Sequence, residues 1–116
     1  SEIFKARKEV LSIYMAPEIE QYIIRITMAT RKPEQYCQEL AKQLEMGVSP
    51  RATLALDRCA RAHAWLAGRD FVSPEDVQAM AYPVLRHRLL LSFQAQAEGT
   101  TANKVVERLL QMVAAS

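Results

Sequence analysis

Glycine and proline divide this chain into short segments, and that division limits the possible folds more than any other feature. The three glycines, Gly47, Gly68 and Gly99, each fall between segments of periodic hydrophobicity and interrupt none of them. Four of the five prolines fall at similar positions. Because proline suits the first turn of a helix but not its interior, the pattern predicts a mostly all-α domain, a small bundle of five or six short helices.

Length and composition exclude several classes of protein. The chain has 116 residues, half of them hydrophobic, which is enough for one domain with a core and too few for two. No apolar run approaches the ~20 residues of a membrane helix and no leader is recognisable, so we expect a cytoplasmic protein. A net charge of +2 with interleaved acids and bases makes nucleic acid an improbable partner. The two cysteines and two histidines lack the spacing of a zinc site or a redox pair.

Hydrophobic residues recur every three or four positions in the segments that we predict to be helices. Ser73 and Asp76 resemble a capping box at one helix start. Pro83 is expected to end that helix near Ala81, before a short helix through His87. The predicted helices are 17–32, 33–46, 50–67, 74–81, the short one that ends at 87, and one that begins after residue 100 or 101.

Two short apolar segments lack the periodicity that would define their conformation. They are Val10 to Tyr14 and Leu89 to Phe93. Each suits an extended strand as well as a helix, since short apolar runs do not distinguish the two. Paired with each other, they would form one short two-stranded antiparallel ribbon beside the helices.

The residues from Gly47 to Ala52 read Gly-Val-Ser-Pro-Arg-Ala and form the candidate functional site. Gly47 is expected to leave the preceding helix in a left-handed conformation, Ser49 to act as N-cap and Pro50 to occupy the first helical position. Arg51 then lies in the first turn, where a cation costs ~0.3 to 1 kcal/mol unless an anion is close. The pattern indicates a phosphate site, and the alternative is an exposed arginine that serves only solubility.

Six segments, taken in order, resemble the C-terminal lid of the MoxR group of AAA+ ATPases and cover roughly residues 3–110. They are Y-I-I-R-I-T-M-A-T-R at 22–31, G-V-S-P-R-A at 47–52, L-A-L-D-R-C-A-R-A-H-A at 54–64, G-R-D-F-V-S-P-E-D-V at 68–77, V-L-R-H-R-L at 84–89 and A-E-G-T-T-A at 97–102. One segment departs from the group: the predicted helix 33–46 stands where its members have a shorter link with a His-Pro step.

The resemblance implies a role for each residue of the candidate site. Arg51 corresponds to the sensor-two arginine, which reaches the γ-phosphate of ATP, and Ser49, Pro50 and Ala52 would line the adenine or ribose side. The ATP and its Mg²⁺ would be held by a separate α/β core domain upstream of residues 1–116. This chain has no G-x-x-x-x-G-K-[ST] loop, so it is not expected to hydrolyse ATP by itself.

The resemblance also implies partners. They are the chain's own AAA+ core domain, neighbouring subunits of a homo-oligomeric ring, and client proteins with a von Willebrand factor A domain, in a chaperone-like ATPase. Two alternatives stay open at this point. The chain could be a stand-alone helical interaction module, or a small nucleic-acid-binding domain that uses arginines 51, 58, 61, 86 and 88.

Overall fold

The computed structural model describes residues 2–113. Within that range the chain forms the seven α-helices α1 (Glu2–Leu11), α2 (Pro17–Arg31), α3 (Gln38–Gln43), α4 (Pro50–Leu66), α5 (Pro74–Leu85), α6 (Phe93–Ala97) and α7 (Ala102–Met112), a 3-10 helix (Pro33–Gln35), and the strands β1 (Leu44–Met46) and β2 (Leu90–Leu91). The mostly helical fold with one short ribbon is confirmed, although there are seven α-helices instead of five or six. None of these helices is both long and apolar enough to cross a bilayer.

Helix α4 is the central element of the fold. It packs against α1, α2 and α5, and the side chains that it buries lie four residues apart: Ala52, Leu56, Ala60 and Ala64. Three of the four are alanines, which let neighbouring backbones approach closely. Leu66, the last residue of the helix, is instead 78% exposed. The start of α4 is therefore held by the helices packed around it.

The ribbon forms between different segments from those predicted. Strand β1 pairs antiparallel with β2, with Leu44 opposite Leu91 and Met46 opposite Leu90. Residues 10 and 11 instead end helix α1, and Tyr14 forms an isolated parallel bridge with Phe71. The predicted pairing of Val10 to Tyr14 with Leu89 to Phe93 is wrong. Only two residues of that second segment are strand, and Phe93 already begins α6.

The single helix predicted over 33–46 is also wrong. A 3-10 turn follows Pro33, Cys37 is extended at φ −162°, and only Gln38–Gln43 is α-helical before β1 begins. Leu40 in α3 and Leu44 in the ribbon are both buried. Pairing with β2 outweighs the helical preference of a short segment, and such tertiary override is common where propensity is weak.

Helix α5 runs through Pro83 without a break, contrary to the predicted stop near Ala81. Proline removes one N–H donor and leaves the carbonyl four residues earlier, that of Ala79, without its helical partner. Pro83 and Ala79 are both exposed, so water can bond that carbonyl. Val84 and Leu85 are buried beyond the proline, and their packing keeps the last turn helical.

Candidate functional site

The start of helix α4 brings three of the four predicted site residues to the surface. Ser49 is the N-cap residue in extended conformation, Pro50 is the first helical residue, and both are exposed together with Arg51. The side chain of Ala52 is fully buried, and its N–H donates to the Ser49 carbonyl at 3.0 Å. Ala52 therefore anchors the first turn in the core and has no side-chain surface for a ligand.

Arg51 has no bonding partner among residues 2–113. Its side chain forms no hydrogen bond and no ion pair there, and the first turn of α4 contains no acidic residue. The Ser49 side chain makes no capping hydrogen bond to the helix either. The positive end of a 17-residue helix and a guanidinium thus share one surface, and no side chain of the described part of the chain neutralises them. This arrangement suits an external anion.

Gly47 is required at the site for a reason other than the predicted one. Among the described glycines, only Gly68 and Gly99 have a positive φ, so the left-handed conformation expected at Gly47 is wrong. A Cβ at this position would overlap the backbone carbonyl of Thr30 at the end of α2. The absence of a side chain lets the Gly47 to Ser49 loop lie directly on that helix.

Three threonine hydroxyls join helix α2 to the loop and to the first turn of α4. Thr30 Oγ1 accepts the Val48 N–H at 3.1 Å and donates to the Thr27 carbonyl at 2.6 Å. Thr53 Oγ1 donates to Thr27 Oγ1 at 3.0 Å. Thr27 and Thr30 are polar residues, yet both are buried on the apolar face of α2. This network was not predicted from the sequence, where its signal is two threonines on a helix face that otherwise carries isoleucine, tyrosine and alanine.

Two grooves adjoin the start of α4. One of about 520 Å³ lies between the end of α2, β1 and the Gly47 to Ser49 loop. The other, about 240 Å³, lies between α2 and α4 and is lined by Pro50, Thr53, Leu54 and Asp57 of α4 together with residues 20, 23 and 24 of α2. The exposed turn that carries Arg51 thus has a concave surface nearby on two sides.

A second polar cluster lies around Asp76, which has no exposed surface. Arg69 donates to both Asp76 carboxylate oxygens at 2.6 Å, and His63 Nδ1 donates to Oδ1 at 2.6 Å. Ser73 closes the predicted capping box, with its N–H donating to Oδ2 at 2.8 Å. Burial alone would raise the pKa of Asp76, but the hydrogen bonds from Arg69, Ser73 and His63 outweigh it and hold that pKa well below its usual range.

The Asp76 cluster is a fully bonded structural joint between α4 and α5. The hydrogen bond to Asp76 raises the pKa of Arg69 above its ordinary value, so this guanidinium stays charged. The carboxylate accepts bonds from three residues, which leaves it little capacity for a ligand. Sequence reasoning identified the capping box but not the bonds from Arg69 and His63, which come from outside α5.

The five arginines considered for nucleic-acid binding do not share one role. Arg61 binds the Asp57 carboxylate and the Ile13 carbonyl, and Arg88 donates to the Val84 carbonyl. These two side chains serve packing between elements of the chain. Two of the five arginines are therefore engaged within the chain, which leaves fewer of them for a basic nucleic-acid surface.

Comparison with known proteins identifies the family. A family model described as AAA lid domain matches residues 38–109, which include the whole of α4 and α5. A crystal structure of a protein from Cytophaga hutchinsonii, described as a candidate ATPase, superposes with a TM-score of 0.88 at 37% identity over 92% of this chain and 33% of that one.

Curated relatives agree with the family match. The chain is 43% identical over 94 residues to Chaperone MoxR1 of Mycobacterium tuberculosis, covering 80% of this chain and 25% of that protein. It is 39% identical to Protein MoxR of Paracoccus denitrificans, over 68% of this chain and 25% of the relative. The chain thus spans about a quarter of the length of these relatives. It belongs to the AAA lid domain family, in the MoxR-type group of AAA+ ATPases.

Proposed function

We propose that this domain closes over ATP bound to a separate α/β core domain and senses the γ-phosphate through Arg51, as a sensor-two arginine. The observation that carries the proposal is the state of Arg51, which is exposed, lacks an acidic partner within residues 2–113 and stands at the start of a helix fixed in the core. Ser49 and Pro50 would face the nucleotide, and Ala52 would hold the turn in place. The core domain would hold ATP and its Mg²⁺.

The chemistry of phosphoryl transfer favours an arginine at this position. Negative charge resides on the oxygens of the transferred group, and a planar guanidinium can donate two parallel hydrogen bonds to them. Removing one preorganised donor of this kind typically costs about 2 to 4 kcal/mol of transition-state stabilisation. The positive end of α4 adds to the same potential, since the Ser49 side chain makes no capping hydrogen bond there.

The relatives support a wider assignment to the whole protein. One of them is named a chaperone, and a structural relative is described as a candidate ATPase. We therefore infer that the longer protein hydrolyses ATP in a homo-oligomeric ring and acts as a chaperone. Client proteins with a von Willebrand factor A domain are the partners that the MoxR resemblance suggests. Motion of the lid with nucleotide state would couple ATP to the neighbouring subunit.

Replacement of Arg51 tests the proposal in the full-length ATPase. Arg51→Ala should lower ATP turnover at least tenfold, which corresponds to about 1.4 kcal/mol, without changing the unfolding midpoint of the domain. Arg51→Lys should recover only a small part of the lost activity, because an ammonium lacks the planar fork. Turnover is measured at saturating ATP by phosphate release.

Arg58→Ala is the matched control. Arg58 is also exposed on α4, and it lies seven residues, or about 10 Å along the axis, from Arg51. Its removal takes away the same charge from the same helix and should leave turnover within twofold of the unmodified protein. Unchanged turnover in Arg51→Ala, or equal losses in both variants, would rule out the sensor-two role.

A further inference from the structure

The loop that precedes α4 is fixed to the end of α2 by two independent contacts. Thr30 Oγ1, on a side chain that is 1% exposed, accepts the N–H of Val48, and Val48 is itself buried. Gly47 lies so close to the Thr30 backbone that no side chain would fit between them. One turn of α2 therefore determines where the chain enters the turn that carries Arg51.

The hydroxyl of Thr30 is bonded both as a donor and as an acceptor. Its single O–H is donated to the Thr27 carbonyl at 2.6 Å, which turns an oxygen lone pair towards Val48 N–H. Thr27 Oγ1 in turn donates to the Ile24 carbonyl at 3.0 Å and accepts from Thr53 in α4. The loop and the first turn of α4 are thus bonded to α2 on both sides of Arg51.

We propose that Thr30 is a positioning residue for Arg51. Its hydroxyl binds the Val48 N–H and its backbone contacts Gly47, and these two contacts fix the loop and so the direction in which the Arg51 side chain extends from the start of α4. This inference rests on the proposed sensor-two role of Arg51. Phosphate contacts depend steeply on geometry, since displacements of about 1 Å can cost a hundredfold in rate. A buried bond three residues before Arg51 is well placed to limit such displacement.

The bond itself can be tested without any activity. Thr30→Val removes the acceptor and keeps a branched side chain, and Thr30→Ser restores the hydroxyl. In this chain, we expect the Val48 amide hydrogen to exchange at least tenfold faster in Thr30→Val than in the unmodified protein, and at nearly the original rate in Thr30→Ser. Thr30→Ala serves in the same way if the valine variant does not fold. Unchanged Val48 exchange in a folded variant would overturn the proposal.

Turnover in the full-length ATPase then separates a positioning role from a structural one. We expect Thr30→Val to lower kcat at least threefold with the KM for ATP within twofold, and Thr30→Ser to recover it. In an Arg51→Ala background, Thr30→Val should cause no further loss, because a residue that acts through Arg51 has nothing left to position. Additive losses in the double variant would overturn the proposal.

Thr101→Val is the control for losing a hydroxyl that accepts an N–H elsewhere. Thr101 Oγ1 accepts the Lys104 N–H at 3.2 Å at the start of α7, and its removal should leave kcat within twofold. Normal kcat in Thr30→Val together with low kcat in Arg51→Ala would overturn the role of Thr30 and leave the sensor-two role standing. Normal kcat in Arg51→Ala would instead overturn the sensor-two role, and the positioning inference with it.

Discussion

Replacing Asp76 with asparagine tests how far the stability of this domain depends on one buried charge. The carboxylate has no exposed surface and is bonded by Arg69, His63 and Ser73. Asparagine has nearly the same shape as aspartate but no charge. Its amide NH₂ group is a donor, and it would face the donor groups that now bind a carboxylate oxygen. The substitution therefore breaks a buried ion pair without creating a cavity.

The expected loss follows from the exposure of the two charged partners. Breaking a buried pair by removing one member costs about 3 to 5 kcal/mol, because the other charge stays buried. The Arg69 side chain is 30% exposed and can regain some water, so we expect the lower end, about 3 kcal/mol. Since the free energy of unfolding of native domains is about 5 to 15 kcal/mol, such a loss would remove a large fraction of the total stability.

Urea unfolding followed by circular dichroism at pH 7 measures this loss. Asp57→Asn is the matched control, because Asp57 also pairs with an arginine, at 2.8 Å, but both side chains are more than a fifth exposed. A pair whose carboxylate, unlike that of Asp76, also reaches water contributes about 1 kcal/mol or less. A loss below about 1 kcal/mol in Asp76→Asn, or equal losses in the two variants, would refute the reasoning.

The pH dependence of stability gives a second measurement on the same carboxylate. The pKa of Asp76 is lowered in the folded state, so its stabilisation is complete above the pKa of the unfolded chain, about 4, and is lost as pH falls further. We expect the unmodified domain to lose this contribution progressively below about pH 4. Asp76→Asn should lack that component, and a curve of the same shape in both proteins would contradict the assignment.

Two further substitutions test the backbone features of the fold by the same unfolding measurement. Gly47→Ala should destabilise the domain by about 1 to 3 kcal/mol, because the new Cβ meets the Thr30 carbonyl, and an unchanged midpoint would show that the loop can move away. Pro83→Ala should stabilise it by up to ~3 kcal/mol, since the new N–H can bond the Ala79 carbonyl. A lower midpoint in Pro83→Ala would mean that the proline ring contributes packing that alanine cannot replace.

Sequence periodicity predicted the long helices well. Helices α2 and α4 begin at Pro17 and Pro50 and end within a residue of the expected positions, because proline starts and hydrophobic repeats act locally. The capping box of α5 is likewise a local motif, and Ser73 and Asp76 form it as predicted. These elements needed no information about the rest of the chain.

The errors fall where distant parts of the chain decide the local conformation. Leu44 is extended because it pairs with Leu91, 47 positions away, and no local pattern contains that partner. Helix α1 was missed because none of its residues is buried, and its most extensive packing is against the distant helix α4. Pro83 was assigned a break because the exposure of the freed carbonyl could not be known in advance.

The candidate site also has features that the sequence predicts and features that only the structure shows. The exposed arginine at a proline-started helix is visible in the sequence, and the structure places it there with Ser49 and Pro50. The hydroxyl network that seats the loop joins residues 18 and 26 positions apart, which no short motif predicts. Likewise, Gly47 was selected by its position between segments, while its packing on Thr30 appears only in three dimensions.

The C-terminal end of α4 carries an intrinsic fluorophore. Trp65 is the single tryptophan of the chain, and its indole N–H donates to Glu9 of α1 at 3.0 Å. None of the side chains of α1 is fully buried, and its packing against α4 includes this contact with Trp65. Loss of the contact between α1 and α4 would change the surroundings of this indole, so its emission offers a probe of that contact without an attached dye.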